Sequence, residues 1–172
     1  MSSRLMQMRP EFIVRRGRFD ELEAIRDTHE DSIQSLGTEF YSAEVMNEWG
    51  RNRPIEPYIE AYHNGDINFV AKDSEDDRVL GYSAYSLKDG KHWLSRLFVR
   101  GAEKGRGIGS ALLREVENVT RESFGRELWV TGTLSARAFY DAKGFEFVED
   151  TISPVGRRDD LFMACIVMKK RL

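Results

Sequence analysis

Apolar positions along the chain alternate between two rhythms. Residues 12–16, 68–72, 79–87 and 92–99 are short runs rich in branched and aromatic side chains, bounded by Gly, Asn or Asp, and they read as strands. Between the first two, Leu22, Ile25, His29, Ile33 and Leu36 recur at helical spacing. That face predicts a helix capped by Asp20 and closed by Gly37. His29 lies on the apolar side, which is the place of a packed, hydrogen-bonded core histidine rather than a catalytic one. Ser42 stands at the cap position of a second helix running to Trp49 and stopped by Gly50 and Pro54, and residues 57–63 add a further turn or two. Tyr41, Trp49 and Tyr58 on this segment either wall a pocket or build a small satellite core.

The strands over 68–72, 79–87 and 92–99 are joined by short polar links, Lys88-Asp89-Gly90 being a hairpin turn, so they are expected to be antiparallel neighbours. Ile108, Ala111, Leu112, Val116 and Val119 then mark a helix reaching about Phe124, followed by a strand over 127–131. A crossover helix between two strands places the second parallel to the first. A helix over 135–143 ends at Gly144, and strands over 145–152 and 161–169 flank a charged loop at 153–160.

Composition narrows the class. At 172 residues, with 41% hydrophobic and 32% charged side chains, the chain is expected to be one globular domain spanning 1–172. No apolar run approaches the roughly 20 residues that cross a bilayer. Residues 1–10 are expected to be a frayed start and carry no apolar core of a secretory signal. Cys165 is the one cysteine, which excludes an internal disulfide and a multi-cysteine metal site; its apolar surroundings over 162–168 suit a small buried hydrophobe. These features predict a cytoplasmic protein without membrane partners. A net charge of −3 argues against nucleic acid as a partner. The charge is polarised: nine carboxylates face one Arg over 20–48, whereas eight Lys or Arg face four Glu over 91–126. This pattern suits an anionic cofactor and a cationic acceptor, and equally a plainly solvated acidic helix face.

The basic stretch holds the candidate chemistry. Gly105, Gly107 and Gly109 occupy every second position between a strand and a helix, with Lys104 and Arg106 among them. Such a loop turns tightly, and the first turn of the helix offers unpaired N–H groups and a positive dipole end, which together make an anion site. The dinucleotide fingerprint fails, because its third glycine falls on Ser110 or Leu112 depending on the count. The mononucleotide loop fails as well, since this one ends Gly-Ser-Ala. On these residues alone a ligand-free glycine turn stays open, as does another nucleotide-binding α/β domain.

Lys104, Gly107 and Gly109, preceded by Leu97-x-Val99, resemble the pyrophosphate loop of the GNAT acetyltransferase superfamily. Ala136, Phe139, Tyr140, Gly144 and Phe145 are similar to the second hallmark of that family, in the right order and about one strand downstream. The resemblance implies an α/β fold with a mixed, mostly antiparallel central sheet of about six to seven strands, flanked by about four helices and splayed near the cofactor loop. It implies acetyl-CoA as co-substrate, held by Leu97, Phe98, Val99, Lys104, Gly105, Arg106, Gly107, Gly109, Ser110 and Thr133, and no metal. It gives Tyr140 the role of general acid toward the leaving thiolate. Three positions depart from the family pattern. Gly101 stands where Pro is usual, Lys104 where Arg or Gln is usual, and Thr133 where an Asn commonly contacts the cofactor. Lys104 keeps the charge without the planar fork. No carboxylate appears on the strand segment Trp93-Leu94-Ser95-Arg96, so the base is expected to be a water chain, with His92 and Glu39 as side-chain candidates. The activity implied is N-acetylation of a small primary amine, with a protein amine as a variant, by direct attack in a ternary complex; a homodimer is compatible with it. The alternative from another class is a non-catalytic acyl-CoA-binding or sensing module.

Overall fold

Seven strands form one sheet in the order β1-β2-β3-β4-β5-β7-β6. The computed structural model describes residues 11–172, so the expected frayed start at 1–10 lies outside the described residues. The strands are β1 (Phe12–Arg16), β2 (Ile67–Asp73), β3 (Val79–Lys88), β4 (Lys91–Val99), β5 (Glu127–Thr133), β6 (Glu146–Pro154) and β7 (Phe162–Arg171). The helices are α1 (Leu22–Gln34), α2 (Ala43–Gly50), α3 (Glu56–His63), α4 (Ile108–Glu122) and α5 (Arg137–Ala142). The described residues thus hold five α-helices, in keeping with the about four expected, and the turn or two expected after Pro54 is α3. Every strand pair is antiparallel except β4 with β5, which the α4 crossover makes parallel.

Alternation in the strands divides the core between two faces. Phe69 and Ala71 of β2 and Leu80 of β3 pack with Ile108, Leu112, Leu113 and Val116 of α4. Val70, Val79 and Tyr82 turn the other way, onto Leu22 and Ile25 of α1 and Tyr58 of α3. A third cluster joins Ile33, Tyr41, Val45 and Trp49 to Val155, Met163 and Cys165 at the far end of β7. In β3 the alternation is interrupted: the ladder with β2 passes from the Ala71–Gly81 pair to Lys72–Val79, so Leu80 is an extra residue and faces the side opposite to Tyr82.

The start of α1 differs from expectation. Asp20 pairs only with the exposed Arg18 guanidinium, and a 3-10 turn over Phe19–Glu21 precedes the helix. Glu21 makes the bonds there instead: its carboxylate accepts from the Arg18 N–H at 2.9 Å and from Arg15 and Lys72. Ser42 does cap α2, accepting from the Val45 N–H at 3.2 Å. His29 is buried, with Nδ1 at 2.7 Å from Tyr58 Oη and 2.9 Å from Tyr82 Oη, and burial holds its pKa well below the ordinary value. It is a core histidine and stays neutral.

One irregularity shapes the site. In the β3–β4 ladder Ala84 faces Arg96 and Tyr85 faces Leu94, so Ser95 is an extra residue, a β-bulge. Its hydroxyl donates to the Ala84 carbonyl at 3.1 Å. The parallel ladder of β4 with β5 ends one residue earlier, at the Leu94–Val130 pair. A bulge bends its strand and sharpens the local twist. From Ser95 onward β4 follows β3 while β5 follows β7, and the sheet opens between them.

Candidate active site

The opening between β4 and β5 leads into a cavity of about 470 Å³. Leu97, Phe98 and Val99 line one side and Thr133, Phe139 and Tyr140 the other, with Lys104, Gly105, Gly107, Gly109 and Ser110 at the loop end. Ten of the eleven residues singled out from the sequence therefore share one space. Arg106 is the exception. Its guanidinium pairs with Glu103 and, at 3.1 Å, with Glu11, so its charge is locally neutralised.

The loop has the geometry of an anion cradle. Gly105 and Gly107 have φ of +83° and +79°, the left-handed region that side-chain-bearing residues avoid. A Cβ at either would meet no atom within 4 Å, so the glycines serve conformation and the space above them is open. No backbone carbonyl among the described residues accepts from the N–H groups running from Gly105 to Ser110. They lie at the start of α4, whose dipole adds partial positive charge. These donors, the left-handed turns and the open strand edge fit a pyrophosphate with an extended arm, and no side chain fills the place such a group would take.

The end of α1 anchors this loop, which the sequence reading did not foresee. Asp31 accepts from the Gly101 N–H at 2.9 Å, and Lys104 Nζ donates to Ser35 Oγ at 3.1 Å. A Cβ at Gly101 would lie 2.3 Å from Ser35 Cβ, so the helix end and the loop touch where only glycine fits. The unusual glycine at 101 was the available signal; its partner, some seventy positions upstream, was not.

Tyr140 projects from α5 and is buried, held edge-on by Phe139 and Phe145 at ring distances of 5.3 and 5.2 Å. Gly132 of β5 leaves room for its ring. Its hydroxyl lies in the cavity without a hydrogen-bond partner among the described residues, and burial raises its pKa above the usual phenol value. It is therefore a neutral donor in want of an acceptor. Thr133 and Ser135 hydroxyls lie 2.9 Å apart beside it.

Trp49 and Thr133 also line a second, wider groove of about 1560 Å³, so the two spaces adjoin at these residues. Its floor carries Ser95, Thr131 and Cys165, and its rims are the α2–α3 connection and the β6–β7 loop. Of the three aromatic residues with two possible roles, only Trp49 faces these spaces. Tyr41 is a structural strut: its hydroxyl donates to the Ala164 carbonyl at 2.7 Å and accepts from the Leu134 N–H at 2.8 Å, and burial lifts its pKa to about 12. Tyr58 belongs to the core with His29. Cys165 is buried, and burial pushes its thiol up, away from nucleophilic character. His92 is bonded to Tyr85 Oη at 2.7 Å and lines neither space, and Glu39 lines neither. Glu48 of α2, which the sequence reading passed over, lines the groove, half-buried and without a cationic partner among the described residues. Among the described residues no cluster of His, Cys, Asp and Glu is placed to hold a metal ion, and no helix is long and apolar enough to cross a membrane.

Comparison with known proteins gives one consistent result. Residues 31–158 match the sequence profile of the acetyltransferase (GNAT) domain. No curated protein matches the chain. Among solved structures, a GCN5-related N-acetyltransferase from Rhodopseudomonas palustris superposes with a TM-score of 0.80 at 19% identity, over 93% of this chain and 95% of its own. PaiA N-acetyltransferase from Thermoplasma acidophilum, in complex with coenzyme A, gives 0.73 at 19% identity over 94% and 99%. A ribosomal-protein-alanine N-acetyltransferase from Brucella melitensis gives 0.65 at 21% identity over 93% and 99%. At these identities the likeness is one of fold.

Proposed function

The chain belongs to the GNAT acetyltransferase family, and from that membership we propose that it transfers the acetyl group of acetyl-CoA to a small primary amine, both bound at once. The observation that carries this reading is the meeting of an open glycine cradle and the unpartnered hydroxyl of the buried Tyr140 in one cavity, which adjoins a second groove at Trp49 and Thr133. The cavity takes the acetyl donor and the groove the acceptor, so that the two meet at Trp49 and Thr133.

In this mechanism the N–H groups of Gly105 to Ser110 hold the pyrophosphate, and the unpaired edge of β4 beyond Leu94 pairs with the pantetheine arm as a missing strand would. A β4 N–H near Leu97 stabilises negative charge growing on the carbonyl oxygen. Holding both reactants supplies much of the acceleration. Tyr140 donates its proton to the departing sulfur. An ammonium with a pKa of about 10 must first lose a proton. Glu48 takes this proton, directly or through water on the hydroxyl-lined floor.

Thermal unfolding with acetyl-CoA, beside ATP and NAD, tests the donor. A ligand bound only by the folded state at 100 times its dissociation constant adds about 2.7 kcal/mol, a plain melting shift. A shift with acetyl-CoA alone, followed by CoA release when amines are added, is expected. No shift at millimolar acetyl-CoA would sink the assignment.

A further inference from the structure

The acceptor groove does not carry the charge that the acidic N-terminal half suggests. Five arginines and three glutamates line it. The pairing among them is specific. Arg158 is satisfied by Glu44 at 2.6 Å and by Asp160 at 2.8 Å. Arg53 is spent on structure, donating to the Trp49 carbonyl and to Tyr58 Oη, each at 2.9 Å. Arg51 and Arg157 have no acceptor among the described residues, although both line the groove.

Arg51 sits on a fixed turn. Gln34 Nε2 donates to the Gly50 carbonyl at 2.9 Å on one side, and Glu30 accepts from the Arg53 N–H at 2.5 Å on the other. Between them Asn52 takes a left-handed φ of 49°, which an Asn tolerates better than most residues. The backbone around Arg51 is thus tied to α1 on both sides while its own guanidinium is left unpaired. Arg157 reaches the same groove from the β6–β7 loop, and Glu48 is a groove carboxylate without a cation. Unpaired charges of both signs in one groove match a ligand that carries both. A guanidinium is the side chain suited to a planar carboxylate, through two parallel hydrogen bonds.

We propose that the acceptor is a zwitterion, a small primary amine that also bears a carboxylate, with Arg51 and Arg157 receiving the carboxylate and Glu48 facing the ammonium. The inference rests on the assignment of this groove to the acceptor. It replaces the purely cationic acceptor suggested by the N-terminal charge, because the groove draws its lining from segments distant in sequence.

The test uses the full-length protein and the standard L-amino acids, each beside its α-carboxamide. Binding is measured by calorimetry with the protein alone and saturated with CoA, which has no acetyl group to transfer, and CoA release is then measured with acetyl-CoA. Charge-assisted hydrogen bonds of this kind give a preference for the acid over the amide of roughly 10- to 100-fold. The R51M/R157M double variant is expected to bring the ratio near one, and R51K/R157K to restore part of it. Both positions are exposed, so folding is not at stake. Amides bound as well as acids, a preference that survives R51M/R157M, or no binding by any member of the set would each overturn the proposal. Turnover without acid preference refutes the zwitterion and leaves the transferase standing. Acid-selective binding without CoA release refutes the transferase and leaves the recognition standing.

Discussion

Replacing Tyr140 with Phe separates chemistry from packing. The ring keeps its edge-on contacts with Phe139 and Phe145, and the hydroxyl that is lost bonds to nothing among the described residues. Deleting an unpartnered hydroxyl leaves no orphaned partner behind, so stability should change by less than about 0.5 kcal/mol. The rate should not be spared. A positioned general acid contributes about 10²- to 10⁴-fold, or roughly 2.7–5.5 kcal/mol of transition-state stabilisation. Burial raises the phenol pKa above its ordinary value, so the donor form persists at all pH values below about 10. The ratio of parent to variant kcat should therefore be flat between about pH 6 and 9. CoA release followed with a thiol-reactive dye at saturating amine gives kcat, and KM for acetyl-CoA should move little, since the lost interaction belongs to the transition state. A variant kcat within threefold of the parent, or a ratio that varies with pH in this window, would refute the role.

Other expectations follow from single contacts. Gly101→Ala puts a Cβ 2.3 Å from Ser35 Cβ, an atom fixed by the α1 backbone; it should cost about 1–3 kcal/mol in urea unfolding and shrink the acetyl-CoA melting shift, and Ser35→Gly in the same chain should recover most of both. Gly107→Ala forces a side chain onto φ +79°, whereas Gly109→Ala meets Phe139 at 3.4 Å and Val99 at 3.8 Å, both ordinary contacts. The former should be less stable than the latter by about 1 kcal/mol in the same assay. Glu21, whose side chain is 7% exposed, is held at a pKa of about 2 against an ordinary 4.5, first by its hydrogen bonds from Arg15 and then by the Arg18 N–H and Lys72. A depressed carboxylate pKa stabilises the fold above the unfolded value and loses that contribution as the pH falls through the folded one. Roughly 3 kcal/mol should disappear between about pH 4.5 and pH 2, and Glu21→Gln should flatten that part of the stability curve; an unchanged slope would assign the acid loss to other groups.

Much of the fold and half of the site are legible in local patterns. Strand and helix periods, the hairpin at Lys88-Asp89-Gly90 and the crossover after Gly107 suffice for the antiparallel run, the parallel β4–β5 pair and the α4 face. The glycine loop over 105–110 was legible because left-handed turns at a helix start are a short-range feature, whereas Tyr140 was singled out only through the resemblance of residues 136–145 to the second hallmark of the family. The Arg106 side chain was not legible in this way, since its pairing with Glu103 and Glu11 is settled by neighbours in space.

What only the tertiary structure decided is where distant segments touch. The Ser95 bulge that parts β4 from β5 is a mismatch in the register of two strands, and neither strand signals it alone. The Asp31 and Ser35 anchors on the Gly101 loop, the strut made by Tyr41, and the gathering of Glu48, Arg51 and Arg157 around one groove each join positions tens of residues apart. Periodicity and capping are properties of a single segment and its solvent-facing pattern, so the sequence by itself determined the elements, their pairing direction and the glycine loop between β4 and α4. Register faults, charge pairing and cavity lining arise only when several segments pack together, and these are the features on which the proposed acceptor groove rests.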